Sequence, residues 1–132
     1  MVLVDTNVLV DVVERDPQWW NWSVGQMRNL SLTHSLAINA IIYAELASTY
    51  TSSAILDQTI ATMNLVFEDI PRKAAFLAGK TYLLHRRKGG TKTSVLSDFF
   101  IGAHAAVLGC SLLTRDTRSY STYFPSVRLI AP

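Results

Sequence analysis

Residues 1–7 read Met1-Val2-Leu3-Val4-Asp5-Thr6-Asn7, an apolar run that ends abruptly in an acid. A β-branched and leucine run without polar alternation is the pattern of a strand buried on both faces, as in a parallel sheet. Comparable signals place a second strand near Ser35 to Ile38, a third at Leu65 to Phe67, and closing strands at Ser111 to Thr114 and Val127 to Ile130. The segments between them carry helix signals. Asn7 to Glu14 reads as a helix, interrupted at Asp16-Pro17, where Asp16 can cap a new helix with Pro17 in its first position. Asn39 is an N-cap for a helix through about Tyr50, and Ser52-Ser53 opens another. Pro71 begins a helix that runs towards His85 and stops at Gly89-Gly90. Ser94 or Ser97 starts a helix from Asp98 to Leu108, ended by Gly109. Strands alternating with helices predict a layered α/β fold around a parallel sheet.

The bulk properties agree. At 132 residues, with 49% hydrophobic and 17% charged residues, the chain suits one globular domain spanning residues 1–132. There are no repeats, and the Gly89 to Thr93 loop is too short to be a domain linker. A formal net charge of +2 excludes a strongly basic nucleic-acid binder, so a nucleic-acid substrate would need a local basic patch. The single cysteine, Cys110, rules out an internal disulfide and reads as a buried, inert thiol. The first apolar stretch is broken by Asp5 and Asp11 and has no basic leader. The run Ile101 to Leu113 contains His104 and is too short for a bilayer core of about 30 Å. A soluble cytoplasmic protein, with no membrane partner, is expected.

Four acids stand out by position. Asp5 directly follows the first strand, and Asp116 follows Leu112-Leu113-Thr114-Arg115 at the end of a late one. In open parallel sheets ligands bind beyond the carboxyl ends of the strands. Glu45 falls within the apolar stripe Ile38, Ile41, Ile42, Leu46 and Thr49, and Asp98 begins the stripe Ile101, Ala105 and Leu108. A carboxylate on a core-facing stripe is costly unless it is paired or binds a metal. Arg115 adjoins Asp116, but neighbours in a strand point to opposite faces, and no other buried basic partner is evident. Clustered carboxylates repel, and a divalent cation removes that penalty. Oxygen-only ligands favour magnesium or manganese, and no Cys/His set suggests zinc. Each acid alone has a bland explanation as a cap, a turn or a half-wet residue; the combination reverses that preference.

The motifs Val4-Asp5-Thr6-Asn7, Tyr43-Ala44-Glu45-Leu46, Leu96 to Ala105 and Leu113-Thr114-Arg115-Asp116 occur in the order of a PIN domain. With the ending Tyr123-Phe124-Pro125 and Val127 to Ile130, the chain resembles VapC-type toxins of prokaryotic toxin–antitoxin pairs over essentially its whole length. The resemblance implies a three-layer α/β/α sandwich whose parallel sheet has its first and fourth strands adjacent. It also implies a magnesium- or manganese-dependent endoribonuclease that cleaves RNA. Asp5, Glu45, Asp98 and Asp116 match the family's acidic quartet, and Asn7 and Thr114 match its supporting polar residues. On this reading Asp5, Asp98 and Asp116 are the main metal ligands, while Glu45 acts through bound water. The partners implied are a small cognate antitoxin and a second copy of the chain, with a higher assembly once the antitoxin binds. Phe99-Phe100, Gly102 and the cluster Trp19-Trp20-Asn21-Trp22 depart from the family pattern.

Arg86, Arg87, Lys88 and Lys92 surround Gly89-Gly90 and suit either RNA phosphates or a solvated helix end, where basic residues complement the dipole. His34, His85 and His104 have no ligand pattern and read as structural or surface residues. The tryptophan cluster suits core packing or a partner surface, with the balance towards a partner or dimer role. Two other functional classes remain in view. A catalytically silent PIN-like module would bind RNA or protein without cleaving. A phosphoacceptor receiver would want an acidic pair after the first strand and a lysine on a late one, where this chain has Asp5-Thr6-Asn7 and Thr114-Arg115-Asp116. Dinucleotide binding fits worse, because no G-x-G-x-x-G follows a strand.

Overall fold

In the computed structural model, which describes residues 1–89 and 95–132, five strands form one parallel sheet flanked by seven helices among the described residues. The order along the chain is β1 (Val2–Val4), α1 (Thr6–Val13), α2 (Trp20–Ser31), β2 (Leu36–Ile38), α3 (Ala40–Ala47), α4 (Ser53–Thr62) and β3 (Leu65–Phe67). There follow α5 (Arg72–Arg87), α6 (Val95–Leu108), β4 (Ser111–Leu113), α7 (Arg118–Tyr123) and β5 (Leu129–Ile130). The sheet order is β3-β2-β1-β4-β5, so the first and fourth strands are neighbours and the strand order reverses between them. Right-handed crossovers then require α1 to α4 on one face and the helices after β3 on the other. This is the three-layer α/β/α arrangement, with adjacent first and fourth strands, that the family resemblance implies, and it satisfies the layered α/β fold that the alternation predicts.

Val2, Leu3 and Val4 are buried and pair with β2 and β4, which explains a run with no polar alternation. The core continues through Leu36 to Ile38, Ile42, Leu46, Ile101 and Leu112-Leu113. Phe99 sits at the centre of an aromatic group, with ring centroids 5.9 Å from Tyr82, 5.5 Å from His85 and 5.0 Å from Tyr123. That group seats α6 on α5 and α7, one residue from Asp98. Gly102, the other departure in this segment, is explained by proximity: a Cβ there would run into the Phe124 ring.

Element ends differ modestly from expectation. The helix after Asn39 stops at Ala47 rather than near Tyr50, and Thr49 is exposed. α6 begins at Val95, which puts Asp98 in its first turn, and Leu108 lies exposed at its far end. Asp16 caps a turn, accepting hydrogen bonds from the Gln18 and Trp19 amides at 2.9 Å, so α2 starts only at Trp20. β4 ends at Leu113 and β5 is reduced to Leu129–Ile130. The helix α7 has no counterpart in the sequence reading. Gly89, with φ of +80°, adopts the left-handed conformation that follows the end of α5. Gly90, Lys92 and Ser94 lie outside the described residues. No helix among the described residues is long and apolar enough to cross a membrane.

Candidate active site

The reversal between β1 and β4 opens a crevice at their carboxyl ends, where ligands bind in sheets of this kind. Asp5 stands at the first of those ends. Its backbone remains extended and its amide donates to the Leu113 carbonyl at 2.9 Å. Its side chain caps α1, with Oδ1 accepting from the Thr6 amide at 2.7 Å. The helix dipole favours a negative group there. Oδ2 accepts from the Thr114 hydroxyl at 2.7 Å, the Tyr120 hydroxyl at 3.0 Å and Asn7 Nδ2 at 3.2 Å. Asp5 is buried, and burial raises its proton affinity above the ordinary carboxylate value, while these hydrogen bonds pull it back.

The other three acids arrive on separate elements. Glu45, on α3, accepts a 2.6 Å hydrogen bond at Oε1 from the hydroxyl of Thr6, the first residue of α1. Asp116 follows β4 on an irregular turn, its amide donating to the Thr114 hydroxyl at 3.0 Å. Asp98 comes from the first turn of α6. It is partly buried, and its pKa is pushed up to about 7, first by burial and then by the charges of Asp5, Asp116 and Glu45. A hydrogen bond from Tyr120 offsets this in part. Asp98 therefore lies within electrostatic reach of the other three acids singled out in the sequence, and Asp5 within reach of Glu45.

The buried His104 and Asn39 join the two helices that carry Glu45 and Asp98. Asn39 caps α3, its Oδ1 accepting from the Ile41 and Ile42 amides at 3.0 Å, and its Nδ2 lies 3.1 Å from His104 Nδ1 on α6. Burial lowers the proton affinity of His104, which favours the neutral ring. Its Nε2 finds no partner among the described residues. His85 packs against Tyr123, with Nδ1 2.6 Å from the tyrosine hydroxyl, and His34 is exposed. Cys110 is half-buried, and burial raises its thiol pKa, as an inert thiol requires.

Two members of this network, Thr6 and Tyr120, escaped the sequence reading, as did the neighbouring buried acid Asp11. Thr6 was detectable, since it adjoins Asp5 at the start of a helix. Tyr120 lies in the polar stretch Arg118–Tyr123, and no periodicity there marks it as buried, although it is only 1% exposed. Asp11 had read as a break in an apolar run, whereas it is buried on α1.

The donor set is chemically suited to a hard divalent cation, since it offers carboxylate and hydroxyl oxygens only. Among the described residues, no group of three or more His, Cys, Asp or Glu side chains converges tightly enough to ligate an ion unaided. Water would complete the shell of any cation held there, as magnesium habitually retains several waters.

Residues 2–125 match the model of the PIN domain family. No curated protein matches the chain. Among solved structures, it is similar to VapBC2 from Rickettsia felis, solved bound to a DNA fragment from their promoter. That match has 21% identity and a TM-score of 0.76, covering 100% of this chain and 99% of the other. DNA-bound VapBC from Salmonella typhimurium matches at 22% identity and a TM-score of 0.72, covering 98% and 96% of the two chains. FitAcB from Neisseria gonorrhoeae matches at 21% identity and a TM-score of 0.69, covering 100% and 98%. With the family model spanning nearly the whole sequence and the sheet order and strand-end acids in agreement, the chain belongs to the PIN-domain family.

Proposed function

We propose that the protein is a divalent-metal-dependent endoribonuclease, and the toxin of a type II, VapBC-type toxin–antitoxin pair. The single observation that carries the nuclease reading is Asp98. Its carboxyl pKa is pushed up to about 7 by burial and by the charges of three other acids. A cation relieves crowded negative charge of this kind. PIN-domain nucleases generally use divalent metals, which agrees. Asp5, Asp98 and Asp116 are the ligands in this proposal, and Glu45 orients or deprotonates the attacking water. When bound, magnesium or manganese supplies charge neutralisation and an activated water for phosphodiester cleavage. The chain itself holds Asp5 through Thr114, Tyr120 and Asn7, and holds Glu45 through Thr6.

The toxin role rests on the neighbours being VapBC and FitAB assemblies, together with a suitable surface. A groove of about 430 Å³ runs between α1, α2 and α4, lined by Val12, Trp20, Val24, Met27 and Met63, with Arg15 and Arg28 beside them. Leu36 and Met63 place it towards the amino ends of the strands, away from the acids. A short antitoxin segment with apolar anchors and acidic flanks fits such a groove. Trp20 lines the groove, whereas Trp22 packs against the core and Trp19 packs edge-on against Trp22. Trp20 is the member of the cluster that this proposal assigns to a partner. A cytoplasmic location and a homodimer complete the proposal. The exposed Arg86, Arg87 and Lys88 at the end of α5 are available for RNA phosphates.

The test is to map RNA 5′ ends after expression of the wild type and of Asp5→Ala, alongside cleavage by purified protein with manganese and with chelator. New ends confined to the wild type and abolished by chelator support the reading. Cleavage by neither protein leaves the silent-module alternative standing instead.

A further inference from the structure

One carboxylate is buried deeply yet has no part in the proposed chemistry. Asp11, only 1% exposed, lies on the face of α1 four residues beyond Asn7. Arg115 grips it with two prongs, Nε to Oδ2 at 2.7 Å and Nη2 to Oδ1 at 3.0 Å. Ser23 on α2 adds a third hydrogen bond, its hydroxyl donating to Oδ2 at 2.7 Å. The Trp19 ring covers the guanidinium, with its centroid 5.1 Å from the central carbon.

The backbone of the same arginine is also held. Its amide donates to Asn7 Oδ1 at 3.1 Å, while Asn7 Nδ2 contacts both Asp5 and the Thr114 hydroxyl. Residues four apart on a helix share a face, so α1 grasps Arg115 twice, at its amide by Asn7 and at its side chain by Asp11. The segment from Thr114 to Thr117 belongs to no strand or helix. Within it the Asp116 amide donates to the Thr114 hydroxyl at 3.0 Å and the Asp116 Oδ1 accepts from the Arg118 amide at 3.2 Å, so the turn is held by these local bonds and by the grip on Arg115. A planar two-pronged fork fixes orientation in a way that a point charge does not.

We propose that Arg115 is a positioning residue for Asp116. Its forked pair with Asp11, walled by Trp19 and Ser23, fixes the turn on which Asp116 enters the acidic cluster, and thereby sets the cluster's affinity for a divalent cation. The inference rests on the functional reading above, in which Asp116 is a ligand.

The experiment is a calorimetric manganese titration of the full-length protein, paired with RNA cleavage kinetics and thermal unfolding. Wild type is compared with Asp116→Asn, Arg115→Lys, Arg115→Gln and the double variant Asp11→Asn/Arg115→Gln. The double variant removes both charges together, so it leaves no uncompensated ion in the interior and keeps a folded test available. Partners that orient a metal ligand are worth about 10–100-fold in metal affinity, and a loss of that size is expected for Arg115→Gln and for the double variant. Arg115→Lys keeps the charge but loses the fork, and a smaller loss is expected. In each case kcat falls while the KM for RNA stays near the wild-type value. If the double variant folds and binds manganese as wild type does, while Asp116→Asn does not bind it, the pair is a structural staple and the inference is wrong. If Asp116→Asn also binds manganese normally, the functional reading falls with it.

Discussion

Asp11 and Asp98 are both withdrawn from water, and they stand in opposite company. Asp11 has a guanidinium, a serine hydroxyl and an aromatic wall around it, so its charge is answered within the chain. Asp98 faces Asp5, Asp116 and Glu45, and its carboxyl holds its proton up to about pH 7. The one basic side chain next to the cluster in sequence, Arg115, turns away from it to serve Asp11. A buried acid with its own cation stabilises the fold, whereas partly buried acids that repel one another cost stability. Both draw on α1 and the end of β4, the first together with α2 and the second together with α3 and α6.

The difference predicts opposite responses to the same chemical change, and the largest effect belongs to the cluster. Asp98→Asn is expected to reduce RNA cleavage more than about 100-fold, because even outer partners of a metal ligand are worth about 10–100-fold. The metal-free protein should stay folded and melt no lower than wild type, since one repelling charge is gone. Cleavage at the wild-type rate would remove Asp98 from the chemistry.

Asp11→Asn should do the reverse and unfold the protein more readily. Breaking a buried ion pair costs about 3–5 kcal/mol, and the lower end applies because Arg115 is 27% exposed and can recover some hydration. Urea unfolding measures this directly, and an unchanged midpoint would contradict the assignment of Asp11 to the fold.

A third, smaller effect is the pH dependence of the metal-free protein. The folded-state pKa of Asp98, at about 7, lies above its ordinary value of 3.8. The folded chain therefore retains a proton that the unfolded chain has lost over that interval. Stability contributed by this group is full below pH 3.8 and is lost as pH rises towards 7. Asp5 is shifted in the same direction and adds to the trend. Thermal unfolding between pH 4 and 8 should show the decline in wild type and a flatter profile in Asp98→Asn. A wild-type profile that climbs across this window would show that Asp98 is not crowded.

The smallest effect is expected of Tyr120→Phe, which removes the one hydroxyl that Asp5 and Asp98 share and leaves the ring in the core. A net hydrogen bond is worth about 0.5–1.5 kcal/mol, somewhat more when one partner is charged. Manganese affinity should fall several-fold with little change in melting temperature.

The sequence made the sheet and the acids legible for the same reason. Strands buried on both faces must be continuously apolar, so an acid directly after one, as at Asp5, marks where the strand emerges into the crevice. Glu45 and Asp98 were visible as interruptions of helical stripes. The shape of Asp116's support was not, because it depends on contacts between residues distant in the chain. Asp11 and Arg115 are 104 positions apart, and neither signals the other. Tyr120 is hidden by its polar neighbours Ser119 and Ser121, and its burial follows only from where α7 lands. Gly102 departs from the family pattern because the Phe124 ring occupies the space that any side chain would need, a contact that nothing in the local sequence signals.

The central claim is that the acids converge to share a cation, and crystals soaked in manganese test it most directly by anomalous diffraction. The account predicts a strong anomalous peak in the crevice between β1 and β4, among the carboxylates of Asp5, Asp98 and Asp116 and bound to them directly or through water. A map with no peak in that crevice at saturating manganese, or with its peak elsewhere on the molecule, would contradict it.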